Sequence, residues 1–173
     1  MRKKIYYVFL FLGLGVISTL GAQNKVKDTV FDQMLQKLLS HTVDEIGPSE
    51  IPALENVLFF DAREKEEYDI SHINGAVWVG YNDFTLKRIK DIPKNQKIIV
   101  YCSVGYRSEK VGQKLLKAGY THVTNLYGGI FEWVNQGNKV QNRQGATKDV
   151  HTFDETWSKW LYVGNRVYKT KKP

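Results

Sequence analysis

The chain reads as an α/β domain on an open parallel sheet, and three features of its sequence predict this class. Val57-Leu58-Phe59-Phe60 and Ile98-Ile99-Val100-Tyr101 are apolar without alternation, as strands covered by helices on both faces must be. Amphipathic segments alternate with strand-like ones at the spacing of βαβ units. Of 173 residues, 42% are apolar and 13% aromatic, enough to fill one core without disulfide staples.

Taken in order, residues 30–39 place apolar side chains at 30, 31, 34, 35, 38 and 39, the period of one helical face. An extended piece over 42–46 and a turn at Gly47-Pro48 follow. Pro52 limits the next segment to about a turn of helix. After the strand at 57–60, residues 76–79 predict another strand and 82–90 a helix. Beyond the strand at 98–101, residues 108–118 predict a helix with Ser108 as its N-cap and Gly119 as its stop. Residues 122–126 give a last strand and 130–135 a helix. Residues 137–149 are polar and read as a linker. Residues 150–168 hold Trp157, Trp160 and Leu161, which would share one face of a short helix capped by Asp154. Packing of that face on the flank of the domain is the expected role, with closure over the Cys102 loop as the alternative.

The ends carry the charge. Arg2, Lys3 and Lys4 precede an uncharged, largely apolar run over 5–20 and a small-residue exit at Gly21-Ala22, the layout of a secretory signal cleaved near Ala22. The expected division is therefore a signal over 1–22, a helical lead-in over 23–41, the α/β domain over 42–136, the linker, and an extension over 150–173. Loss of the three leading cations lowers the formal charge from +7 to +4, and Lys169, Lys171 and Lys172 supply most of the rest. With no basic stripe interleaved with aromatics, a nucleic-acid partner is not expected. Export to the periplasm is expected, without stable membrane insertion after cleavage, and as a monomer.

Cys102 is the chain's one cysteine and follows a buried strand in Tyr101-Cys102-Ser103-Val104-Gly105-Tyr106-Arg107-Ser108. Ligand sites of open α/β sheets lie at the carboxyl ends of strands. The N–H groups of a tight loop entering a helix converge into an anion nest. A thiolate placed there is favoured by those dipoles and by Arg107, which makes Cys102 a candidate nucleophile rather than an inert core thiol.

These residues carry a resemblance. Residues 46–136 look like a rhodanese domain, of the sulfurtransferase family. The residues that match are Asp61-Ala62-Arg63 with Glu67-Tyr68 and His72-Ile73-Asn74-Gly75-Ala76, then the Cys-x-x-Gly-x-Arg-Ser string at 102–108, then the 126–133 string Leu-Tyr-Gly-Gly-Ile-Phe-Glu-Trp. Ser71 departs from the family, which usually has Gly before the His. The resemblance implies a small doubly wound sheet with helices on both faces. It implies that Cys102 accepts sulfur from a small anionic donor such as thiosulfate and passes it, as a persulfide, to a thiol or cyanide-like acceptor. Arg107 would hold the donor's oxygens, and the amides of Ser103, Val104, Gly105, Tyr106 and Arg107 would cradle the persulfide. Gly105 permits the turn, while Ser103, Val104 and Tyr106 would stand at the pocket mouth and select the substrate.

Asp61 and Arg63 read as an ion pair bracing a loop, and His72 as a ring bonded to backbone rather than a general base. His41, His122 and His151 have no partner at metal-ligand spacing, so neither metal nor cofactor is implied. Two other readings remain. A phosphatase or arsenate reductase on this fold has a Cys-x-x-x-x-x-Arg loop, one residue longer than the four that separate Cys102 from Arg107. A non-catalytic partner-binding module normally lacks the cysteine.

Overall fold

A computed structural model describes residues 25–53 and 55–168. The expected signal over 1–22, its expected cleavage near Ala22 and the terminal lysines lie outside the described residues. Five parallel strands form one sheet in the order β1-β5-β4-β2-β3: β1 (Asp44–Ile46), β2 (Val57–Asp61), β3 (Val77–Trp78), β4 (Lys97–Tyr101) and β5 (His122–Leu126). From β2 the chain steps outward to β3, then returns to β4 and steps the other way to β5. The direction of winding therefore switches between β2 and β4, whose carboxyl ends carry Asp61 and Cys102.

The unbroken apolar runs separate onto two faces, as the doubly wound class requires. Ile99 and Tyr101 of β4 pack with Phe31 and Leu35 of α1 (Thr29–Leu38) and with Ile130 and Phe131 of α4 (Gly129–Asn135). Ile98 and Val100 pack with Val111 and Leu115 of α3 (Tyr106–Lys117) on the other side. Asp28 caps α1, its carboxylate accepting from the Phe31 N–H at 2.7 Å.

Four local expectations need correction. Residues 82–90 form no α-helix, only a 3-10 turn at Leu86–Ile89 that starts on Thr85. Local polar partners win there: Arg88 donates to Val79 O at 2.6 Å and pairs with Asp83 at 2.9 Å, against Trp78. A helix α2 (Lys65–Ile70) stands where none was expected, its start held by the Glu64 N–H donating to Glu67 Oε2 at 3.0 Å. Helix α3 begins before Ser108, on Gly105, whose φ of 115° suits a residue without Cβ. Ser108 is thus inside the helix, its hydroxyl 2.7 Å from Asn125 Oδ1 and 3.0 Å from Gly105 O, and its single proton goes to the nearer acceptor. The polar stretch 137–149 is no free linker: it folds a hairpin of β6 (Val140–Asn142) and β7 (Gly145–Thr147), and Gln141 and His72 exchange backbone hydrogen bonds of 2.8 and 2.9 Å.

The extension is part of the fold. Strand β8 (Asp149–His151) pairs with β9 (Asn165–Val167), and α5 (Glu155–Ser158) lies between them, capped by Asp154 as expected but too short to hold Trp160 and Leu161. Trp160 instead stacks on Phe31, centroids 5.1 Å apart, and Leu161 is 1% exposed in the core beside α1 and α4. Leu161→Ala is therefore expected to cost about 2–5 kcal/mol, the usual range for a buried leucine. An unchanged urea midpoint would mean that the extension only rests on the surface.

Candidate active site

The switch point gathers the sequence-predicted loop. Cys102 is 1% exposed, and its Sγ accepts the Gly105 N–H at 3.2 Å, so the loop turns a backbone dipole onto the sulfur. Two further sets of bonds hold the loop rigid. Cys102 O and Ser103 O accept from Ile130 and Phe131 N–H groups at 2.9 and 3.2 Å, which ties the loop to the start of α4. Gly105 O accepts from Asn125 Nδ2 at 3.1 Å. That docking needs Gly129: its φ is 59°, and a Cβ there would lie 2.5 Å from both loop carbonyls.

Arg107 reaches back over the loop, but to a partner that was not expected. Its Nη1 and Nη2 donate to Glu67 Oε2 and Oε1 at 2.5 and 2.8 Å, and Nη2 also donates to Ser103 Oγ at 3.0 Å. Glu67 is 2% exposed. Burial pushes its carboxyl pKa up, but the fork of Arg107 and the Arg63 charge more than reverse this and hold it below the usual value. Burial likewise opposes the Arg107 cation, and Glu67 with the charge of Cys102 keeps it firmly protonated. Arg107 therefore lends positive charge near the sulfur, but most of that charge is matched by Glu67. This weakens the expected grip on an anionic donor.

The supporting residues fall where the sequence placed them. Arg63, wholly buried, pairs with Asp61 at 2.6 Å and donates to Ser71 O at 2.6 Å, bracing the ends of β2 and α2. His72 stacks on Tyr68, has Nδ1 3.0 Å from Tyr68 O, and is not among the residues that line the cysteine's cavity. Ser103, Val104 and Tyr106 all line that cavity with Cys102 and Arg107. Tyr106 is exposed, whereas Val104 is buried and serves the core as well.

The rest of the wall includes Trp157, from the segment whose closure over the Cys102 loop was the alternative expectation, and two residues that the sequence did not single out for it, Leu38 and Phe153. Leu38 of α1 and Phe153 and Trp157 of the extension line the same cavity, about 240 Å³ in volume. His151 Nδ1 lies 4.0 Å from Glu67 Oε1 but accepts the Phe153 N–H at 3.1 Å. Burial lowers the His151 pKa despite Glu67. Both facts make it a neutral ring rather than half of an ion pair. The available signals were Glu67 inside the first matched string, opposite an arginine, and too many apolar residues beyond the last string.

The model for the rhodanese-like domain matches residues 49–136, just over half of the chain. The chain belongs to the rhodanese-like domain family. The rhodanese-like region runs from the 3-10 turn before β2 through α4, and so includes Cys102, Arg107 and Glu67 but not the extension. Among curated relatives, the tRNA uridine(34) hydroxylase of Aster yellows witches'-broom phytoplasma is 33% identical over 144 residues, 76% of this chain and 46% of that protein. That of Staphylococcus carnosus is 33% identical over 126 residues, 68% and 36% of the two chains. The chain thus spans less than half the length of these relatives. Among solved structures, a thiosulfate sulfurtransferase of Pseudomonas aeruginosa aligns over 76% of this chain and 25% of its own, at TM-score 0.54 and 23% identity. A rhodanese-like domain from Anabaena aligns over 73% and 86%, at TM-score 0.51 and 20% identity. These two neighbours establish the fold alone.

Proposed function

We propose that this protein is a sulfurtransferase that carries sulfane sulfur on Cys102. The observation that supports this best is the lone thiol at the floor of a cavity with the Gly105 N–H turned onto its Sγ at 3.2 Å. The thiolate attacks the outer sulfur of a donor such as thiosulfate, an S–S bond forms to Cys102, the donor's own S–S bond breaks, and sulfite leaves with its electron pair. The persulfide then gives that sulfur to a thiol or cyanide, restoring the thiolate in a ping-pong cycle. The donor anion meets a partly neutralised Arg107, so thiosulfate serves as a probe of the chemistry. The test is mass analysis of the protein after thiosulfate, where one added sulfur that cyanide removes is expected and an unmodified mass would refute the reading.

A second reading, action on a tRNA uridine, is favoured by the identity to proteins of that name. It predicts altered tRNA nucleosides after incubation with the protein, and unaltered tRNA alongside a persulfidated Cys102 would exclude it. We further propose that the protein is exported, cleaved near Ala22 and periplasmic, where a monomer with a single cysteine has no intrachain partner to oxidise with. Fractionation should recover a processed, soluble species outside the cytoplasm. Recovery of the full-length chain in the cytoplasm would contradict export.

A further inference from the structure

The extension that follows the family-matched region completes the wall over Cys102 with Phe153 and Trp157. Resting on the sulfur-transfer reading, we propose that these two side chains make a specificity site for the acceptor, and that the acceptor is a small organic thiol with an apolar substituent.

The lining decides the chemistry. Leu38, Val104, Tyr106, Phe153 and Trp157 line the approach to Cys102 with Ser103 and Arg107, and most of the Arg107 charge is matched by Glu67. Away from Arg107, a wall of this kind offers an ionic substituent little compensation for its lost hydration. It rewards an apolar substituent with buried area. Size agrees: the cavity holds about 240 Å³, and an apolar cavity of about 150 Å³ already accepts benzene. Cyanide or a two-carbon thiol would leave most of it unfilled.

Phe153 shows that the fold maintains this wall at a cost. The Asp154 N–H donates to Thr152 O at 2.8 Å across Phe153, whose φ is 67°. This is a tight γ-turn that side chains rarely adopt. It is held on one side by His151 Nδ1, which accepts the Phe153 N–H. The ring it presents is 53% exposed, with the Arg107 guanidinium 5.6 Å from its centroid. A large apolar ring displayed in a strained turn beside the nucleophile belongs to neither core cluster, so core packing is not what the turn secures.

The transfer step balances without an oxidant. The acceptor thiol's sulfur attacks the outer sulfur of the persulfide, a new S–S bond forms, and the bond to Cys102 Sγ breaks. The thiol proton passes to the transferred sulfur, and Cys102 departs as the thiolate that the Gly105 N–H receives.

The full protein is loaded with thiosulfate, freed of excess donor, and mixed in parallel with benzyl mercaptan, 2-mercaptoethanol and cyanide, with loss of the added sulfur followed by mass. Benzyl mercaptan should clear the persulfide about tenfold faster than 2-mercaptoethanol, within the range a few methylene-sized contacts confer. Phe153→Ser, at an exposed position, and Trp157→Leu should each lower the ratio of benzyl mercaptan to cyanide rates by about fivefold to tenfold. Equal rates for the two thiols, or ratios unmoved in both variants, would overturn the specificity site. Failure to load any sulfur before a thiol is added would instead overturn the sulfur-transfer reading and this one with it.

Discussion

Cys102→Ser is expected to abolish thiocyanate formation from thiosulfate and cyanide while leaving the fold in place. A hydroxyl oxygen forms no persulfide, so the cycle has no carrier. The loss should be about a thousandfold or more, the scale seen when an attacking nucleophile is deleted. The fold should survive because serine is close to cysteine in size and its Oγ can still accept the Gly105 N–H that now meets Sγ. The loop carbonyls remain bonded to the start of α4. Activity persisting in a folded serine variant would remove Cys102 from the mechanism.

Arg107→Ala is expected to be the most destabilising change in the loop. It leaves Glu67, 2% exposed, with Arg63 as the remaining cation acting on it. Breaking a buried pair in this way costs about 3–5 kcal/mol. Arg107→Lys should recover little, because a point ammonium cannot reproduce two parallel bonds to the two carboxylate oxygens. The pH dependence has a fixed sign. The folded pKa of Glu67 lies below its ordinary value, so the pair's contribution is fully present above about 4.3. It is lost as the pH falls through the lower folded value. In the alanine variant the buried carboxyl gains less from being charged, so the gap in unfolding free energy between wild type and variant should narrow in acid. A gap that is small at neutral pH, or that widens in acid, would show that Glu67 is stabilised by something other than Arg107.

What the sequence made legible follows from how locally each feature is determined. Strands β2 and β4 are apolar on both faces over consecutive residues, the pattern of parallel strands between helical layers, and their side chains divide between the two core clusters. The Cys102 loop was legible because Gly105 and Arg107 sit within five positions of the thiol. Helix α2 was not, since among its residues only Tyr68 and Ile70 are large and apolar, and its start depends on Glu67, a side chain shared with the active site. The hairpin over 140–147 has three-residue strands in which Val140 is the one buried apolar side chain, and a distant partner, His72, pairs with Gln141, so no local pattern announces it. The same holds for Leu38 and Phe153 in the cavity wall, whereas an approach of the Trp157 segment to the Cys102 loop was one of two expectations. Counting apolar residues in the extension predicted that it packs, and Trp160 and Leu161 do so as expected. That Phe153 and Trp157 face Cys102 follows from the β8–β9 pairing and the turn at Phe153, which are tertiary facts.

The central claim is that Cys102 becomes a persulfide. It is tested most directly by intact-mass measurement of the protein before thiosulfate, after thiosulfate, and after subsequent cyanide, with the modified peptide located by fragmentation. The account predicts one sulfur atom added to Cys102 and returned quantitatively as thiocyanate. A mass that never changes, or a sulfur that cyanide cannot remove, would contradict it.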